Sequence, residues 1–483
     1  MAQSVLTIRG TPWERDVFVV AAALLGAGLA ASLFYTPIPI AVLVGVPALI
    51  YFLSRPYELL LVMVFLIPFN FVVPIGSIPI AAELLKVFAW IPFLIALSAQ
   101  STSFVTSAYN KWFVLWFGIL LFSVMRSSDV LFTIKESVRL ASNFGLCYLV
   151  INLVDTREKI LQLFRVLAIS TFFVAGYGFY QFAIQDFGAL FWLVNPRMDT
   201  GFSHGRYTFW EWRGRIISVL TSELELGHYF NMCLPVSTVL WLSERGRMGA
   251  WKWLLIAAAT LTGLLLTFTF GAWLSVAGAT ALFVLIIDRK RRWKMMGAAV
   301  VVLTLFSALL VVGPLRPFVF EKAFGNNIGS LAWDTLSRLD AWTFAVQTWW
   351  AHPFLGVGIG NYEILEYAHE TIHSPWGEGG STPHNTYLYL LAESGIVGLV
   401  GMLAIMLGTM RKSLSLRRHP EYGVIALGLA FGLTCNLIGW FGDDSTFTGP
   451  HTSYLLWLIV GLSEAVRNLA RCRSDANTML AAT

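Results

Sequence analysis

The residues best suited to chemistry lie together in Thr382-Pro383-His384-Asn385-Thr386, followed by Glu393, Gly395 and Gly398. Thr382 suits a helix N-cap and Pro383 the first helical position, which predicts His384 in the first turn of a helix. Free backbone N–H groups and the positive dipole end make such a turn attractive to anions. A neutral imidazole there can take a proton from a hydroxyl, with Asn385 to orient it. The alternative is a polar residue that helps to cap a helix at an interface. Glu393, nine positions or about two and a half turns on, is expected deep and on a different face from His384. There it serves either catalysis or a buried polar partner. Gly356-x-Gly358-x-Gly360 follows no strand, so it reads as a tight external turn rather than a phosphate cradle. Asp443-Asp444 reads as a solvated turn rather than a metal-binding pair. Cys147, Cys233, Cys435 and Cys472 have no CxxC or zinc spacing, so neither disulfide, metal nor cofactor is expected.

The elements that must position these groups belong in a bilayer. Of 483 residues 57% are hydrophobic and only 13% charged, with a mean hydropathy of +0.69, whereas soluble domains carry about 25% charged residues. A span needs roughly 20 apolar residues and, in lipid, a helix to satisfy its backbone. The expected fold is therefore an all-α polytopic bundle of about 14 transmembrane helices. Its spans fall near 17–34, 37–53, 58–74, 81–98, 111–125, 138–154, 160–184, 225–242, 252–269, 271–287, 294–313, 384–408, 421–440 and 452–468. Interruptions at Pro37, Pro56, Pro68 and Pro74 leave room for 12 to 14.

The net charge of +5 is spread over short loops: Arg245, Arg247 and Lys252; Arg289, Lys290, Arg291, Arg292 and Lys294; Arg411, Lys412, Arg417 and Arg418. That pattern sets membrane orientation and does not indicate nucleic acid. It places both termini in the cytoplasm. Arg9 and Arg15 precede an apolar run with no cleavage pattern, so the first span is expected to be retained. Two long segments, Gln185 to Leu224 and Pro314 to Pro383, then face outward, and their aromatic content argues that they pack. The regions are 1–184 (N-terminal helices), 185–224 (first outer segment), 225–313 (central helices), 314–383 (large outer loop with catalytic elements), 384–470 (C-terminal helices) and 471–483 (cytoplasmic tail).

His384-Asn385, nine residues, then Gly395-x-x-Gly398 resembles the hallmark of the O-antigen ligase and polymerase superfamily. Arg338-Leu339-Asp340-Ala341-Trp342 and His352-Pro353-Phe354-Leu355-Gly356-Val357-Gly358-Ile359-Gly360-Asn361-Tyr362 resemble the pattern just upstream of that family's histidine. Pro68, Gly76, Glu83, Gly176, Tyr180 and Gln181 add diffuse similarity. The resemblance implies a GT-C-like fold in the bacterial inner membrane. It also implies inverting, metal-independent transfer of a glycan from undecaprenyl diphosphate to an acceptor hydroxyl at the periplasmic face. In that scheme His384 is the catalytic histidine, Arg338 and Asn385 serve the diphosphate-linked substrate, and Gly395 and Gly398 are structural.

A diphosphate leaving group needs charge neutralisation, which arginine supplies through its planar fork. Arg213 and Arg215 are the next candidates; alternatively they contact lipid headgroups or Glu223 and Glu225. The family's Ser-Arg-Gly-Ala turn reads Thr269-Phe270-Gly271-Ala272 here, so either Arg213 or Arg215 replaces the missing arginine or the donor sits differently. The acceptor is lipid A core, a second glycan unit or a protein hydroxyl. From another class, a lipid-linked glycan transporter would need access from both faces, which polar density gathered on one face does not favour.

Overall fold

Apart from short pieces between 51 and 97, the computed structural model describes residues 104–194, 215–286, 328–367 and 382–482. The expected spans 17–34 and 294–313, most of 37–53 and of 81–98, and Arg213 lie outside the described residues.

The described chain is helical apart from one two-residue antiparallel pair, Pro74–Ile75 with Ile78–Pro79. In order the helices are α1 (Pro56–Leu66), α2 (Asn110–Arg126), α3 (Val130–Leu153), α4 (Arg157–Ile184), α5 (Ala189–Val194), α6 (Glu223–Ser243) and α7 (Trp251–Leu266). There follow α8 (Phe270–Ile286), α9 (Ile328–Ala351), α10 (Asn361–Tyr367), α11 (Thr386–Ser415), α12 (Gly423–Gly439), α13 (Ser445–Thr448) and α14 (Pro450–Ala482). Two of them, α4 and α11, are both long and apolar enough to cross a bilayer; α1, α7, α8 and α12 are shorter apolar helices. The expected spans from 58–74 onward fall on these elements where they are described, with two differences. α1 ends at Leu66, and α14 continues through most of the expected tail to Ala482.

Capping explains several starts. Asp129, Thr156 and Ser222 each accept a backbone N–H of their own first turn, from Phe132, Lys159 and Glu225, satisfying donors that a helix start leaves open. The centre of the bundle is α6, α12 and α14. α6 packs on α4, α7 and α12, and α14 packs on α3, α6 and α12. Near its start α6 buries Glu225, His228 and Asn231, and α14 buries His451, Thr452 and Ser453. Polar side chains buried in an apolar bundle need partners, and these collect at one end. The other end carries basic residues: Lys412 and Arg467 face Glu464 at 3.8 and 3.4 Å.

The described residues of the large segment expected as an outer loop are mostly helical, with α9 lying against α11. Between them α11 breaks. Gly395 has φ 64° and ψ −171°, a region only glycine populates freely. The turn after α9 fills the break. Val357 and Gly358 N–H donate to the carbonyls of Ala392 and Glu393 (both 2.9 Å), while Ile396 and Val397 N–H donate to Pro353 and Phe354 (2.9 and 3.2 Å). The backbone groups freed by the break are thereby paired, as buried amides must be. Gly356, Gly358 and Gly360 all have positive φ (65°, 103°, 79°). They do form a tight turn, but a buried one against α11 and α2 rather than an external one. The reason is the close approach: a Cβ on Gly356 would lie 2.3 Å from the Glu393 carbonyl carbon. Below the break, Ile396 to Ser415 is about 20 residues, or about 30 Å, which matches a hydrocarbon core.

Candidate active site

The site forms where α12 ends. A helix leaves its last carbonyls unpaired, and after α12 four successive carbonyls find donors from two distant segments. Trp440 accepts Thr386 N–H (2.9 Å), and Phe441 accepts the Asn385 amide (3.2 Å). Gly442 accepts the Arg338 guanidinium (2.9 Å), and Asp443 accepts the Thr386 hydroxyl (2.8 Å). One loop thus gathers Arg338 from α9 and the His384 segment from α11, residues 46 positions apart in sequence.

The expected helix start shifts by three residues. Asn385, not Thr382, is the N-cap: its Oδ1 accepts Tyr387 and Leu388 N–H at 3.0 and 3.1 Å. Both residue types cap well, and the one that also reaches Phe441 wins. His384 therefore precedes the helix, in a left-handed conformation with φ 46°, rather than lying in its first turn. Its half-exposed imidazole has Nδ1 3.9 Å from Asp444 Oδ1.

Asp443 and Asp444 are not a solvated turn. Both are buried, at 2% and 3% exposure. Asp443 accepts the Ser445 hydroxyl and lies 3.2 Å from His228 Nε2. Asp444 is held by the Thr382 hydroxyl and the His384 backbone N–H. Ligand atoms of His384, Asp443 and Asp444 lie within 4.8 Å of one another, the spacing of a metal triad. Asp443 is engaged by the Ser445 hydroxyl, whereas Asp444 keeps one buried carboxylate oxygen, Oδ2, without a hydrogen-bond partner. Read from sequence alone the pair had no histidine near it; the signal available was a double aspartate just after an apolar span, where a charge needs a reason.

Burial, and then the charge of Asp443, push the Asp444 carboxyl up to about 7 from 3.8. For stability the sign is plain. A raised carboxyl favours the fold fully below 3.8, and that contribution is lost as pH rises through about 7. For a proton transfer at His384 the sign is opposite, because only ionised Asp444 stabilises an imidazolium. Activity is expected to climb with pH across about 7. Asp444→Asn should flatten that limb and lower the plateau by about tenfold or more, as measured by pH–rate profiles of the two proteins. Glu363 of α10 also sits raised, by burial and then by Glu136 and Asp444.

Arg215 donates to Glu223 at 2.8 Å, the carboxylate contact weighed for it from sequence. Glu223 also lies against the hairpin before α8, since its carbonyl accepts the Thr269 hydroxyl at 3.0 Å. Arg215 is thus linked through Glu223 to Thr269, the residue before Phe270. Phe270 itself is exposed and stacks edge-on with Trp273 at 5.1 Å. Glu225 turns inward to His451 Nδ1 (3.0 Å) and the Thr221 hydroxyl (2.6 Å). Glu393 is a partner for buried polar groups, its Oε1 accepting Gly360 and Tyr362 N–H at 2.8 and 3.3 Å. Gly398 is closely approached by Ser394, and a Cβ on Gly395 would lie 2.2 Å from the Phe354 carbonyl oxygen.

Comparison with known proteins points to one family. The O-antigen ligase family model matches residues 255–403, a stretch that includes Phe270, Arg338, His384 and both motif glycines. An O-antigen ligase of Salmonella typhimurium is 24% identical over 192 residues, which cover 38% of this chain and 44% of that relative. The resemblance read from His384, Asn385, Gly395 and Gly398 is the one these comparisons return: over residues 255–403 the chain is similar to the O-antigen ligase family, a family of membrane proteins, and it spans less than half the length of the curated relative it matches.

Proposed function

We propose that the protein transfers a glycan from undecaprenyl diphosphate to an acceptor hydroxyl, in the manner of an O-antigen ligase in lipopolysaccharide assembly, with the lipid A core as acceptor. The observation that carries this reading is the Gly442–Asp444 loop. It sets a histidine with a buried carboxylate neighbour and an arginine from another helix around one short stretch of backbone. His384 removes the acceptor proton, Asp444 stabilises the imidazolium, and the acceptor oxygen attacks the anomeric carbon. The bond to diphosphate breaks on the opposite side, which inverts the centre. Arg338 meets the charge developing on the leaving diphosphate. Arg215 stands in for the arginine missing at Phe270, sharing its charge with Glu223; Asn385 holds the loop on which both groups rest. Metal-free chemistry is proposed because Arg338 and Arg215 supply the charge neutralisation that a diphosphate leaving group needs.

Sidedness follows from charge. Arg411, Lys412 and Arg417 lie at the far end of α11 from His384, and Arg245 and Arg247 follow the far end of α6. The positive-inside rule puts those ends in the cytoplasm and the site at the periplasmic face of the inner membrane. The choice of ligase over polymerase rests on the relative's name.

The direct test is reconstitution in lipid with undecaprenyl-diphosphate glycan and candidate acceptors, with products identified by mass. Transfer to lipid A core that persists in chelator is expected; no product with any acceptor, or loss with chelator, contradicts the reading. Arg338→Ala should weaken binding of undecaprenyl diphosphate by about 10- to 100-fold, the loss of one charge-assisted contact. Unchanged affinity would remove Arg338 from the donor site.

A further inference from the structure

Trp342 and Tyr362 take no part in the transfer just described, yet both bond to backbone at the edge of the site. Trp342 of α9 donates its indole N–H to the Pro383 carbonyl at 2.7 Å, on the peptide that leads into His384. Tyr362 of α10 donates its hydroxyl to the Ala341 carbonyl at 3.0 Å, the residue next to Trp342. Tyr362 and Gly360 are held in turn by the Glu393 carboxylate of α11. These bonds close a ring: from Glu393 to Tyr362, to α9 at Ala341, through Trp342 to Pro383, and along α11 back to Glu393. Arg338 precedes Trp342 by four residues and so shares its face of α9. His384 has φ 46°, a left-handed conformation uncommon outside glycine.

We propose that Trp342 is a positioning residue that couples the diphosphate-binding arginine to the histidine, with Tyr362 and Glu393 completing the ring that holds α9 against α11. The proposal rests on the transfer reading for the roles of Arg338 and His384, but the tether itself is a property of this fold. Arg338 lies on α9 and His384 just ahead of α11; the loop after α12 holds the His384 segment through Asn385 and Thr386 but Arg338 through Gly442 alone. Trp342 supplies the direct link. Because misplacement by about 1 Å can cost about 10²-fold in rate, loss of this link should appear in turnover far more than in donor affinity.

The test uses the full protein in lipid nanodiscs as Trp342→Phe, Tyr362→Phe and the double variant, with His384→Ala alongside. Each change removes one hydrogen-bond donor and keeps an aromatic ring. Three readouts are taken: turnover per folded molecule at saturating donor, affinity for undecaprenyl diphosphate, and hydrogen exchange of the peptide covering 382–386. Each single variant is expected to turn over about tenfold slower or worse and to bind undecaprenyl diphosphate within about threefold of the parent. The double should be little worse than the weaker single, because the ring is already open. Exchange at 382–386 should quicken in Trp342→Phe. Unchanged turnover together with unchanged exchange overturns the proposal. So does a loss wholly explained by a smaller folded fraction. If His384→Ala also transfers at the parent rate, the transfer reading fails by itself; exchange then decides the tether, faster supporting it and unchanged overturning it.

Discussion

Replacing His384 with alanine is expected to lower glycan transfer by about 10²- to 10⁴-fold, the range that a positioned general base contributes, while undecaprenyl diphosphate still binds within a few fold. The expectation follows from placement. His384 lies outside α11, so its loss removes no helical hydrogen bond; Asn385 keeps the cap through Tyr387 and Leu388. Arg338 keeps its bond to Gly442. Only the proton acceptor disappears. A carrier that moves lipid-linked glycan without chemistry would be indifferent to this change. Initial rates of product formation beside equilibrium donor binding check it, and undiminished transfer by the variant sinks the assignment.

Gly395→Ala is expected to be as damaging to the fold as His384→Ala is to the reaction. Two costs add. The backbone at φ 64° and ψ −171° penalises any side chain by about 1–3 kcal/mol. A new Cβ would also meet the Phe354 carbonyl at 2.2 Å, and since that atom is backbone it cannot swing away, so overpacking adds about 1–3 kcal/mol. The sum is a large part of a typical net stability of about 5–15 kcal/mol. A lower unfolding temperature and a smaller folded yield in lipid are expected, whereas Gly118→Ala, with nothing within 4 Å of a new Cβ, should be nearly silent. Equal stability of the two variants would show that the break in α11 is not fixed as described.

The residues most informative in sequence were those whose types are costly in a bundle. Helical architecture followed from hydropathy, and the described spans from 111 onward lie where apolar runs end. The His384, Asn385, Gly395 and Gly398 spacing was legible as a pattern, and the structure supplies its mechanics: nine residues separate a cap from a break, and the break exists to receive the turn after α9. What composition could not reveal was pairing. Asp443 and Asp444 read as an exposed turn because nothing nearby in sequence explains burying two carboxylates; their partners Thr382, His384 and His228 lie from 60 to 215 residues away. The helix start was misplaced for a similar reason, since Thr382 and Asn385 both cap well and only the contact with Phe441 decides between them. Arg215 was legible as an arginine of interest, but its neighbourhood with Phe270 depends on Glu223 bridging two hairpins.

The central claim is a direct displacement at the anomeric carbon with His384 as the base, and the anomeric centre of the product records it. Purified protein in lipid, given a donor of known configuration and lipid A core, should yield undecaprenyl diphosphate and a glycoside whose proximal linkage is inverted when read by NMR. Retention of configuration, or release of free glycan without acceptor, would contradict the account.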